Sequence, residues 1–137
     1  VSDILLRFND VSEYQRTGEA STITDDKEAI PFPAWDALPQ ARPIIFDLMR
    51  RVEATRLGRV MINKIAPGGV IYPHVDTPSH TEYYSRFHIV LQSRPGVVFR
   101  AGDGKRVQIK GVDCKWVDDV VIDAVVDDPN VITNQKI

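Results

Sequence analysis

The feature that most constrains this chain is a change of period. From Arg59 onward, apolar and polar residues alternate in short runs: RVMINKI, VIYPHV, RFHIVLQ, VVFRA, RVQIK and DVVIDAVV. Alternation with a period of two places successive side chains on opposite faces of a strand. Turn residues separate the runs, at Pro67-Gly68-Gly69, Pro95-Gly96 and Gly102-Asp103-Gly104. Several short strands at this close spacing predict a sandwich, a barrel or a jelly roll.

The part before Arg59 follows another pattern. Ile4, Leu5, Leu6 and Phe8 suit a short strand or a helical turn, and residues 17–27 are polar enough for a loop. Pro31, Pro33, Pro39 and Pro43 leave little room between them for long regular structure. A helix is predicted over about residues 43–57. Ile45, Leu48, Met49 and Val52 recur at three and four residues and make one apolar stripe. Pro43 suits a first helical turn, and Gly58 suits a stop. The expected fold class is therefore mainly β with an N-terminal helix. A single domain over residues 1–137 is expected, with a support region at 1–57 and the strand-rich core at 58–137.

Composition removes some function classes. A chain of 137 residues that is 43% hydrophobic can bury a core without cross-links. A formal charge of −2 provides no basic field to gather nucleic acid. No apolar run approaches the ~18–20 residues of a membrane span. The opening VSDILLRF lacks a basic stretch followed by a long apolar one, so the expected location is cytoplasmic. The single cysteine, Cys114, excludes an internal disulfide and a multi-cysteine zinc site, and it suits a reducing compartment.

The chemistry concentrates in PGGVIYPHVDTPSHTEYYSRFHIVLQS, residues 67–93. In an extended chain Tyr72, His74 and Asp76 share a face. An imidazole and a carboxylate on adjacent pleats can bind one metal ion. A neutral nitrogen with a carboxylate oxygen suits Fe(II) and supplies two thirds of a facial triad, which leaves positions open for a co-substrate and dioxygen. Arg86 and His88 form a second alternating pair. With Val90 and Gln92 they are expected on one face, while Phe87, Ile89 and Leu91 take the other. A cation embedded in an apolar strand needs a partner. A dicarboxylate would serve, because guanidinium forks match carboxylates in a bidentate way. An HxD in a surface loop is usually just solvated, and an RxH in a strand is no more telling alone. His80, among Pro, Ser and Thr, reads as a loop histidine without a role. The weight lies in the order: strand, Pro-Gly-Gly turn, PHxD, short loop, then RxH inside an apolar strand.

In that order the run GRVMINKIAPGGVIYPHVDTPSHTEYYSRFHIVLQSRPGVVFRAGDG resembles the core of the aspartyl/asparaginyl β-hydroxylase family. The resemblance is close over residues 58–104 and weaker over 33–57. It implies a double-stranded β-helix (a cupin-like jelly roll), Fe(II), and 2-oxoglutarate as co-substrate. It also implies hydroxylation of an amino-acid or peptidyl side chain of Asp, Asn or Pro type, so the partner would be a small molecule or a peptide. By this resemblance the metal-binding His and its acidic neighbour fall on His74 and Asp76. The Arg and His that contact 2-oxoglutarate fall on Arg86 and His88. Asn63 falls where some members place a polar residue that helps hold the distal carboxylate. Residues 77–84 lie between the two pairs and are expected to form a lid.

The C-terminal part departs from the family. Members continue with Gly-Glu-x-Trp-Trp, a distal metal-binding His and an Arg that anchors 2-oxoglutarate. Here the stretch reads GVDCKWVDDVVIDAVVDDPNVITNQKI. Trp116 fits the aromatic position, but no histidine follows His88 and no arginine follows Arg106. The distal His would fall near Asp123, and the Arg near Asn130. Three readings stand open. Asp123 is the third metal ligand; or the domain is a degenerate, non-catalytic jelly roll that only binds; or the C-terminal sequence reflects a shifted reading frame. A cupin-like metalloprotein that is not an oxygenase ranks below these, because cupin sites draw on several histidines and this chain has 3. Asp118, Asp119, Asp127 and Asp128 read as solvated acids at strand ends.

Overall fold

The computed structural model describes residues 2–23, 28–72, 83–93, 95–101, 105–108 and 119–127. Strand β1 is Ser2–Phe8, and a short helix α1 follows at Ser12–Thr17. A 3₁₀ turn at Ala20–Thr22 leads toward the two-residue strand β2, Ile30–Pro31. Helices α2 (Pro33–Ala37) and α3 (Ala41–Arg51) come next. The strands β3 (Leu57–Ile65), β4 (Ser85–Gln92), β5 (Val98–Ala101), β6 (Lys105–Gln108) and β7 (Asp119–Val126) complete the order. The chain is thus a small mixed α/β domain in which helices α1 to α3 precede β3.

One antiparallel sheet runs β2-β1-β3-β7-β4. The last of the described strands, β7, therefore sits in the interior of the sheet between β3 and β4. Its register places Ile122 between Ile62 and Ile89, and Ala124 between Val60 and Phe87. These residues share one face, which α2 and α3 cover. Leu6, Ala41, Ile45, Val60, Ile122 and Ala124 form the buried cluster, and Trp35, Leu38, Leu48, Ile62 and Ile89 pack against it. Each aliphatic side chain removed from water in this way contributes about 1.5–3 kcal/mol.

The helix of the sequence reading exists with other bounds. It runs over Ala41–Arg51 rather than about 43–57. Pro43 sits in its first turn, where a missing N–H costs nothing. The helix ends early because Glu53 takes a left-handed φ of 57° and the Ala54 amide bonds back to the Met49 carbonyl at 2.8 Å. The following amides of Thr55 and Arg56 donate to the Asp127 carboxylate at 2.9 and 2.6 Å, which directs the chain into β3. Gly58 is accordingly no helix stop but a buried residue of β3.

Two further expectations change. Residues 70–72 belong to no strand, and the rest of the VIYPHV run lies outside the described residues. The sheet is open. Among the described residues β5 and β6 pair only with each other, and these residues show no closed jelly roll. The proline-rich stretch holds two elements the sequence reading did not assign, β2 and α2. Both are too short to leave a periodic signal.

Candidate functional site

The face of the sheet away from α3 carries the polar residues. On β7, Asp123 stands in register with Met61 of β3 and His88 of β4. Arg86 lies two residues before His88 and so projects to the same side. Three of the residues singled out in the sequence therefore meet across one ladder. The Arg86 Nε lies 3.5 Å from Asp123 Oδ1, and the His88 Nε2 lies 3.8 Å from Oδ2. The Asp123 side chain is only 9% exposed, against 32% for Arg86 and 33% for His88. The acid is thus the floor of the cluster and the two basic groups are its rim.

Asp123 Oδ1 is buried and has no hydrogen-bond partner. A buried, unsatisfied carboxylate oxygen is costly to a fold, and native structures hold few of them. The nearby guanidinium compensates its charge without bonding it. A carboxylate oxygen and an imidazole are two donors of the kinds that bind divalent metal ions. The other two residues expected to complete that site, His74 and Asp76, lie outside the described residues. Among the described residues no three His, Cys, Asp or Glu side chains converge into a metal site.

Asn63 occupies the same face one register position along, opposite Val121. Its amide donates to Asp3 Oδ1 at 2.7 Å, so its hydrogen-bonding is directed to β1 rather than to the Asp123 cluster. Nothing local to Asn63 signalled this, since its partner lies 60 residues away. Gln92 also departs from the expected alternation. A bulge between Val90 and Gln92 leaves Leu91 without a β7 partner and pairs Gln92 with Val120, in register with the helix-covered face. The candidate face of β4 therefore ends at Val90.

The expected lid, residues 77–84, is described only at its end. There Tyr83 and Tyr84 pack edge to face with centroids 4.7 Å apart. Tyr84 is buried, which pushes its phenol above the usual range. A shallow groove of about 430 Å³ lies on the other side of the sheet, lined by Pro43, Ile44, Asp47, Leu48, Arg51 and Ile89. Its acid and its base pair with each other at 2.7 Å, so it offers little chemistry. No helix among the described residues is long and apolar enough to cross a membrane.

The sequence reading missed Asp127, which it took for a solvated acid. The side chain accepts from the Thr55 hydroxyl at 2.7 Å as well as from two backbone amides. It also missed buried Asn9, which accepts from the Arg59 Nε at 2.8 Å while that guanidinium covers the Phe8 ring. Both residues shape strand ends and neither faces Asp123. Comparison with models of known families, with curated proteins and with solved structures finds no significant match to this chain.

Proposed function

We propose that the chain is an Fe(II)/2-oxoglutarate-dependent dioxygenase domain of the aspartyl/asparaginyl β-hydroxylase type, acting on an amino-acid or peptidyl side chain. One observation supports this reading above the rest. Asp123, which stands where that family has its distal histidine, is the residue that lies across the ladder from the Arg86/His88 pair. The reading carries with it the closure of the open sheet into a double-stranded β-helix, which would cover Asp123 and keep bulk water from it.

In this reading His74, Asp76 and Asp123 hold the iron. Arg86 takes a carboxylate of 2-oxoglutarate, and His88 orients it by hydrogen bonding. The bound iron would supply dioxygen activation coupled to the oxidative decarboxylation of 2-oxoglutarate to succinate. The protein's part is to fix the two ligands against each other and to exclude water. Anaerobic addition of Fe(II) and 2-oxoglutarate should produce the visible charge-transfer band of their chelate, and His74→Ala should abolish it. Absence of the band in the unmodified protein, with no succinate formed under air, rejects the reading.

A second reading is a jelly roll that binds a carboxylate without catalysis. The lack of any arginine after Arg106 favours it, because the family's second carboxylate anchor is then missing. It requires that His74→Ala leave ligand binding unchanged.

A further inference from the structure

We infer that Arg56 and Tyr84 are positioning residues for the Arg86–His88 pair: they anchor the entry of β4, and that anchor holds the register in which the pair meets Asp123. The inference deepens the proposed function and rests on it for what Arg86 and His88 bind. The anchor itself is a matter of packing and hydrogen bonding.

The argument starts from how weakly β4 is held by its own side chains. None of the 8 residues of Ser85–Gln92 is buried, and among the described residues the strand pairs with β7 alone. A strand buried on neither face specifies its register poorly, and a slip of one residue exchanges its faces. Such a slip would set Phe87 or Ile89 opposite Asp123, where His88 now stands. The far end of β4 is no check, since the bulge between Val90 and Gln92 already absorbs a residue there. The near end is different. Tyr84, the residue before β4, is 5% exposed and meets the Tyr83 ring edge to face. The Arg56 guanidinium lies over the Tyr83 ring at 5.4 Å, donates to its hydroxyl at 3.4 Å and pairs with Glu28. Arg56 is itself fixed, because Asp127 beyond the end of β7 accepts from its amide at 2.6 Å. One arginine thus ties the entry of β4 to the start of β3 and the end of β7, the two strands that meet across Asp123 and Met61. Tyr84 supplies the buried ring that β4 itself lacks.

Amide hydrogen exchange of the full chain tests the anchor. Arg56→Met is the variant, and Arg51→Met, at an exposed arginine of α3, is the control for a lost charge. Arg56→Met is expected to speed exchange of the β4 amides about three- to tenfold, the effect of one lost hydrogen bond or cation–π contact, and to leave the β1 and β3 amides as they were. Tyr84→Leu should act in the same direction, and Arg51→Met should change neither set. Unchanged β4 exchange in Arg56→Met, or an equal rise in every strand, overturns the anchor. The positioning role is read from 2-oxoglutarate affinity, measured by the chelate band with anaerobic Fe(II). Arg56→Met should weaken that affinity in the unmodified background and weaken it no further in Arg86→Gln, because the effect runs through Arg86. Equal weakening in both backgrounds overturns the positioning role, since a general loss of structure would add to the loss of Arg86. An unmodified protein that binds no 2-oxoglutarate rejects the proposed function and with it what the pair is positioned for, while the exchange of β4 still decides the anchor.

Discussion

A carboxylate whose side chain is 9% exposed, with one oxygen unbonded, works against the fold that contains it. Under the proposed function Asp123 is a metal ligand, which would account for that cost. Asp123→Asn keeps the shape and removes the buried charge, while Arg86 and His88 are already about one-third exposed. The variant is expected to be as stable as its parent or about 1 kcal/mol more stable in urea unfolding. A loss of more than about 2 kcal/mol would mean that the Arg86–Asp123 pair is structural instead. Asp127 is the opposite case. Burial alone would raise its pKa, but hydrogen bonds from the Thr55 side chain and from the Arg56 and Thr55 amides outweigh it and hold the carboxyl below its usual range. A depressed folded pKa means stability that is fully present above the unfolded value of about 3.9 and is lost as pH falls through the lower folded value. Asp127→Ala should therefore lose about 1 kcal/mol at pH 7, a figure already reduced for partial solvent exposure. That deficit should shrink below pH 4. A gap between the two proteins that is independent of pH would contradict the assignment.

At the scale of elements, α3 and the sheet divide the work. Ile45 is fully buried in the central cluster, whereas Phe46 is 50% exposed and touches Trp35 edge to face at 6.0 Å. Ile45→Ala should cost about 2–4 kcal/mol, and Phe46→Ala no more than about 1 kcal/mol. Comparable losses in the two variants would mean that the packing of α3 is misassigned. The apolar stripe of this helix was legible in the sequence because periodicity reports which face is buried. Its end was not legible, because the left-handed turn at Glu53 leaves no periodic signal and the chain beyond it is held by Asp127, 72 residues from Thr55. The strands β3, β4, β5, β6 and β7 were all legible from their alternation. The bulge at Leu91 was not, since a break in register depends on the partner strand and leaves no mark in RFHIVLQ.

For the whole molecule, the arrangement of strands is what brings the site together. β3 pairs with β1 and β7, both far from it in sequence, and β7 carries Asp123 into the interior of the sheet. The alternation nominated Arg86 and His88 as a pair, and the family resemblance nominated Asp123. Only the order β3-β7-β4 sets them side by side. Asn63 was nominated by the resemblance alone and shares their face, yet the pairing of β1 gives its amide to Asp3. The central claim is that the face opposite α3 is a cation and carboxylate site with Asp123 at its floor. Titration of the ¹⁵N-labelled protein with Mn²⁺ tests it most directly, because paramagnetic broadening falls steeply with distance from the ion. Broadening should be steepest at Met61, His88 and Asp123 and weaker at Ile45 behind the sheet. Broadening centred on the α3 acids, or spread evenly over surface carboxylates, would contradict it.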